Sequence, residues 1–239
     1  LPVHWSGLLC DMERINKIAK KYDLFIIEDA CHAIKAERNN MRAGALGSTA
    51  CFSMHPLKNL NVWGDGGMIV TNSKKLHKKF LLLRNHGLIN RDLSEVFAYN
   101  SRLDTLQAIV GKHLLTRIDE ITKARIENAN YFDKHLSTIP KISIPVRLPS
   151  TRQVFHLYVI RVEQRDKLQK FLIKQGIDAK VHYPVPMHLQ PAAKKYGYKE
   201  GDFPESEKAS KETLALPVSH EITADQQAIV VSAISEFFS

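Results

Sequence analysis

Cysteine is scarce in this chain: three in 239 residues, at Cys10, Cys31 and Cys51. The odd count and wide spacing exclude a disulfide framework and a zinc knuckle, and no metal is expected. They fit a protein kept in a reducing cytoplasm. No run approaches the ~20 apolar residues needed to span a bilayer. There is no signal-peptide pattern, so no membrane partner is expected. Internal repeats and low-complexity tracts are also missing. Acidic charge is outnumbered, with 34 Lys and Arg against 25 Asp and Glu, a net charge of +9. That balance favours anionic partners: nucleic acid, an acidic membrane surface or a phosphorylated small molecule. The basic residues are scattered, however. The densest groups, Lys74-Lys75 with Lys78-Lys79 and Lys194-Lys195, read as solvated helix faces. No nucleic-acid motif accompanies them, so no nucleic-acid partner is expected. A hydrophobic content of 44% and a charged content of 25% are those of an ordinary globular protein. The length suits one large domain or two small ones.

What is present concentrates between Ile26 and Gly67. An apolar run, Leu24 to Ile27, ends in the acidic pair Glu28-Asp29. A second run, Ala50 to Met54, leads into His55-Pro56-Leu57-Lys58-Asn59. A glycine cluster, Gly64-Asp65-Gly66-Gly67, precedes a third run, Met68 to Thr71. Strand, acid, strand, lysine, glycine turn, strand is an α/β pattern with its chemistry at the loops. A lysine in a tight, apolar, Pro-containing loop is open to desolvation, which makes its amine a usable nucleophile. A carboxylate ending a buried strand can face a cationic ring nitrogen. Schiff-base lysine with an aspartate beneath a pyridinium is the pairing that holds pyridoxal phosphate. Asp and Lys at strand ends are common, however. A helix cap or salt bridge at Asp29 explains the pattern equally well on spacing alone.

The same motifs resemble the DegT/DnrJ/EryC1/StrS family of sugar aminotransferases, fold-type I enzymes that use pyridoxal phosphate. The family's acidic-pair motif stands here as Glu28-Asp29-Ala30-Cys31-His32-Ala33. Its lysine loop stands as Cys51 to Asn59, and its glycine turn as Gly64 to Gly67. The resemblance continues through Arg84-Asn85-His86-Gly87, Asn100 to Asp104, Phe155-His156-Leu157-Tyr158 and His182-Tyr183-Pro184 to Leu216-Pro217. It implies an α/β fold with a partial large-domain sheet and a smaller C-terminal α/β domain, divided as residues 1–110 and 111–239. Leu1 to Gly7 resembles the middle of a family member, so the family's first strands and a phosphate loop are expected to be absent.

The resemblance also assigns roles. Lys58 is the catalytic and cofactor-linked lysine. Asp29 holds the ring nitrogen protonated. His32 lies near the ring or its phenolic oxygen, unless it is a packed polar residue. Ser53 bonds the cofactor phosphate, unless it is a buried serine satisfied by backbone. Asn100 reaches the phosphate of a neighbouring subunit's cofactor, which implies a homodimer with a shared site; the alternative is a turn residue. His188 either contacts substrate or holds its loop in shape. His55 stands where the family has an aromatic residue and receives no role. Relatives with histidine in place of the lysine perform dehydration, so Lys58 favours transamination. The implied activity is amination of a nucleotide-linked keto-deoxy sugar, with glutamate as amino donor. A non-catalytic protein of the same fold, a basic regulatory protein, and a lysine-dependent decarboxylase or racemase stand as alternatives.

Periodicity predicts further elements. Cys10 to Tyr22 reads as a helix capped by Asp11, with Ile15 and Ile18 inward. Phe25 to Glu28 reads as a buried strand, and Arg38 to Arg42 as a hairpin tip. Ser73 to Asn85 is a helix with Leu76, Phe80 and Leu83 inward, followed by a polar loop to Tyr99. A broken helix is expected from Asp104 to Leu136, and a Pro-containing linker from Pro140 to Pro149. Strands are expected at Val154 to Val162 and Asp178 to His182, with a helix from Arg165 to Gln175 stopped by Gly176. Tyr183 to Pro191 should be extended. Helices should follow at Phe203 to Leu214 and at Thr223 to Phe237.

Overall fold

The computed structural model describes all residues, Leu1–Ser239. The chain divides into two units, Leu1–Lys123 with Leu148–His156, and Ala124–Arg147 with Leu157–Ser239.

In the first unit, the Asp11 side chain accepts the Arg14 N–H at 3.2 Å and starts α1 (Met12–Lys21). Its inward stripe is Met12, Ile15 and Ala19, spaced at three and four residues as one helix face requires. Ile18 falls off that stripe and is exposed, contrary to expectation. β1 (Ile27–Asp29) follows. Phe25 and Ile27 are exposed while Ile26 and Glu28 are buried, so the strand covers one face rather than two. β2 (Glu37–Arg38) and β3 (Met41–Arg42) pair as the expected hairpin. Asn39 and Asn40 turn it with positive φ, a conformation asparagine tolerates.

β4 (Thr49–Ser53) pairs in parallel with β1, and β5 (Gly67–Val70) pairs antiparallel with β4. The order is therefore β1-β4-β5. α2 (Lys74–Leu83) is capped by Ser73, with Leu76 and Phe80 half-buried but Leu83 exposed. The loop expected to be polar leaves Ile89, Leu93, Phe97 and Tyr99 exposed. The long helix is broken, as expected, with the break at Arg117: α3 (Thr105–Thr116) precedes it, and α4 (Ile118–Leu136) follows and belongs to the second unit from Ala124 onward. β6 (Thr151–Arg152) returns to pair with β2. Leu9, Ala30, Ala33, Ala36 and Val154 pack together beneath this frame. Met54, Leu60, Val62 and Ile118 form a second cluster.

In the second unit β7 (Tyr158–Arg161) pairs antiparallel with β8 (Thr213–Leu216). The strand expected from Val154 is shorter because Phe155, at φ +44°, breaks the extended run. α5 (Arg165–Lys174) is followed by Gly176 at φ +77°, the left-handed stop expected there. The strand expected at Asp178 to His182 is a single bridge, Lys180 with Ala215. Tyr183 to Pro191 is not wholly extended. A helical turn, Met187–Leu189, fits between the prolines, and Pro191 opens another at its first position, where a missing N–H costs nothing. α6 (Pro204–Glu212) ends before Leu214, because Thr213 to Leu216 are taken by β7. α7 (Ala224–Phe238) starts at Thr223, whose side chain and that of Gln226 cap each other's backbone N–H.

Candidate active site

Asp29 is the last residue of β1, and its backbone is held from both sides. Its N–H donates to Pro2 O at 2.9 Å, and its carbonyl accepts the His4 N–H at 3.0 Å. On the other flank Ala30 N–H donates to Cys51 O at 2.9 Å. The Asp29 carboxylate accepts the Cys31 N–H at 3.1 Å, which sets its direction.

Beneath Asp29 lies a hub that the motif reading missed. Glu28 is fully buried. One carboxylate oxygen accepts the N–H groups of Leu46 (2.8 Å) and Gly47 (2.6 Å). The other accepts Gly44 N–H (2.9 Å) and His4 Nε2–H (2.9 Å). His4, also fully buried, accepts the Cys10 N–H on Nδ1 at 3.3 Å. That contact places the imidazole proton on Nε2, facing Glu28. Burial alone would raise the Glu28 carboxyl, but the bonds from His4, Gly44, Gly47 and Leu46 outweigh it and hold it below the usual carboxylate range. The signal was in the alternation: Glu28 occupies the inward phase of a strand whose next residue faces the site.

Lys58 sits in the turn after β4, where its N–H donates to His55 O at 2.8 Å and its carbonyl accepts Asn61 Nδ2–H at 3.0 Å. The side chain is half-buried. Desolvation lowers its proton affinity, partly offset by attraction to the Asp29 carboxylate. Burial raises the Cys31 thiol to about 12, with the Asp29 carboxylate adding to it; Cys51 is raised by the same two causes. Both thiols are therefore inert small groups beside the lysine. Asp29, Cys31, Cys51 and Lys58 thus share one electrostatic environment. Asp29 lies opposite Cys51 in the β1–β4 register. Ser53 lies on the same face of β4 as Cys51, two residues on, and its hydroxyl accepts the His55 N–H at 3.3 Å.

His32 follows Asp29 closely. Its Nδ1 accepts the Ser6 N–H at 3.3 Å, and its ring packs against Trp5 and His156 at centroid distances of 5.3 and 4.2 Å. Asn100 lies apart from this group, on the exposed ladder in which it bridges Asn85. His188 belongs to the second unit. Its Nε2 is 2.9 Å from Glu207, its ring packs on Phe203 at 4.7 Å, and Glu207 also accepts the Gly201 and Phe203 N–H groups. No group of His, Cys, Asp and Glu suited to a metal ion is present. No helix is long and apolar enough to cross a membrane.

The profile of the DegT/DnrJ/EryC1/StrS aminotransferase family matches residues 1–235. The chain belongs to this family. Among curated family relatives it is 43% identical to a Geobacillus stearothermophilus protein named "Pleiotropic regulatory protein", over 100% of this chain and 64% of the relative. It is 38% identical to the Streptomyces venezuelae dTDP-3-amino-3,4,6-trideoxy-alpha-D-glucose transaminase, over 99% of this chain and 62% of the relative. The structure of S. venezuelae DesV in complex with a ketimine intermediate superposes with a TM-score of 0.95 at 37% identity, covering 99% of this chain and 64% of that one. Bacillus subtilis NtdA, solved with bound cofactor PMP, superposes at 0.88 with 29% identity, over 99% of this chain and 55% of that one. The chain therefore spans under two thirds of the length of these family members.

The residues present fit the family's pyridoxal-type cofactor. A desolvated amine stands beside a strand-end carboxylate whose direction is set by a backbone N–H, the donor set such a group requires.

Proposed function

We propose that this chain supplies the lysine half of a pyridoxal 5'-phosphate site in an aminotransferase that aminates a nucleotide-linked keto-deoxy sugar, with glutamate as amino donor. The observation that carries the proposal is Lys58, half-buried with lowered proton affinity and within electrostatic reach of Asp29.

When bound, pyridoxal phosphate supplies the electron sink. The rest of the work falls to the chain. Lys58 offers an amine that is unprotonated more often than a solvated lysine, and takes up and returns a proton at Nζ. Asp29, directed by Cys31 N–H, presents negative charge to a cationic ring nitrogen. His32, with its proton on Nε2, is a donor beside them. Ser53 offers a hydroxyl at the end of β4 for the phosphate. Residues 1–110 form the cofactor-binding part and 111–239 the smaller domain. Asn100, exposed on its ladder, would serve the cofactor of a second copy. A homodimer would also cover Trp63, Phe97, Tyr99 and Leu106, which the first unit leaves exposed. The excess of basic charge suits a substrate carrying a diphosphate. His188 is either a substrate contact or the brace of its own loop, and its bond to Glu207 favours the brace. Transaminase names among the relatives, such as that of S. venezuelae, support the sugar substrate.

The test is the visible spectrum of the chain with pyridoxal phosphate, before and after borohydride, beside Lys58→Ala. A borohydride-sensitive band, with the reduced cofactor found on Lys58 by mass spectrometry, is expected in the wild type and absent in the variant. A wild-type chain without the band does not hold the cofactor by itself. A non-catalytic role, in line with the regulatory name of the Geobacillus relative, would then be the better reading.

A further inference from the structure

One family-like motif has no role in the foregoing chemistry: Phe155-His156. The segment carrying it returns to the first unit after an excursion through the second, and it touches the candidate site at several points. Arg152 Nη1 donates to Lys35 O at 3.5 Å. Gln153 Nε2 donates to Ser6 Oγ at 3.2 Å. Val154 N–H donates to Gly7 O at 3.0 Å, and Val154 O accepts Asn59 Nδ2–H at 2.9 Å. His156 packs its ring on His32. The segment thus grips the residue next to Lys58 and the turn that hydrogen-bonds His32.

The backbone is strained at these contacts. Phe155, buried and aromatic, has φ +44°, and Ser6 has φ +53°. Left-handed geometry is unfavourable for a residue with a side chain and persists only where its surroundings enforce it. Gly7 lies between, at φ +91°. A Cβ there would meet Val154 Cγ2 at 2.7 Å and the Phe155 N at 3.0 Å, so the two strands of chain touch backbone to backbone. The consequence of this geometry is specific. Ser6 N–H points at His32 Nδ1, and the rings of Trp5 and His156 pack against the imidazole. Nδ1 is therefore the acceptor and Nε2 carries the proton.

We infer that residues 153–156 are a clamp, and that His156 is a positioning residue that holds the His32 imidazole as its Nε2–H tautomer beside the lysine site. The functional meaning of the clamp rests on the cofactor reading above, whereas its effect on His32 does not.

The experiment is ¹⁵N NMR of the histidine side chains in the chain, with His156→Ala, His156→Phe and Gln153→Leu, followed by pyridoxal phosphate titration of each. The wild type should show His32 as a single Nε2–H tautomer. His156→Ala should mix the tautomers, shift the pH midpoint of the cofactor band and weaken cofactor binding roughly tenfold, the scale of partners that orient a ligand from behind. His156→Phe, which keeps a flat ring, should leave all three unchanged. Gln153→Leu, which frees the Ser6 turn, should mix the tautomers even where His156→Ala does not fold. A wild-type His32 protonated on Nδ1 would overturn the clamp. So would a lowered melting temperature with His32 unchanged in both the His156→Ala and Gln153→Leu variants. A chain that takes up no cofactor defeats the proposed function, while the nitrogen spectra still decide the clamp.

Discussion

Replacing Glu28 by Gln changes one oxygen to an NH₂ group and removes one charge, at constant volume. The wild-type carboxylate accepts four donors: Gly44, Leu46 and Gly47 N–H and His4 Nε2–H. An amide oxygen can serve the Leu46 and Gly47 pair, but the NH₂ then faces two donors. Turning the amide over only exchanges the pairs. His4 cannot relieve the conflict by moving its proton to Nδ1, because that atom faces the Cys10 N–H. Two charge-assisted bonds are lost in a fully buried site, at ~1.5–3 kcal/mol each. A cost of about 3–5 kcal/mol is expected, the range for breaking a buried pair. Against a total stability of ~5–15 kcal/mol for a domain, this is a large fraction. Urea unfolding followed by circular dichroism should show a lower midpoint with little change in slope.

The same group sets an acid limit. The folded Glu28 carboxyl is held below its ordinary value, so its contribution is complete above the unfolded value and is lost as pH falls through the folded one. The wild type should therefore lose stability in acid more steeply than Glu28→Gln. A variant within about 1 kcal/mol of wild type, with the same acid profile, would refute the hub.

Two local predictions stand beside it. Thr223→Ala removes one half of the capping box at α7 and should cost about 1 kcal/mol, read as a lower melting temperature. An unchanged melting temperature would mean that the cap contributes nothing. Gly87 has φ +72°, and an added Cβ would run into the Val96 carbonyl. Gly87→Ala should destabilise the turn by about 1–3 kcal/mol and speed amide exchange at Ile89 and Glu95; unchanged exchange would speak against the strain.

The spacing of apolar runs, acids and glycines was enough to place Asp29 at the end of a strand, Lys58 in the turn after another, and Ser53 between them. These are local properties, governed by period and turn chemistry, and they are legible along the chain. Asp11 was legible as a cap for the same reason. The helix expected through Leu214 was not, because pairing between β7 and β8 overrides local preference there, and the strand expected from Val154 was not, because left-handed Phe155 breaks its extended run. Ile18 misled because two helical phases fit the same residues, and only packing chose between them. What tertiary structure alone decided is the support of the site. His4 meets Glu28 across 24 positions and Gln153 meets Ser6 across 147. A sequence shows which residues can donate or accept, but the partner of a buried polar group is set by where the backbone returns. Here it returns at Pro2–His4 and again at Gln153–His156, on either side of the residues that the motif had already marked.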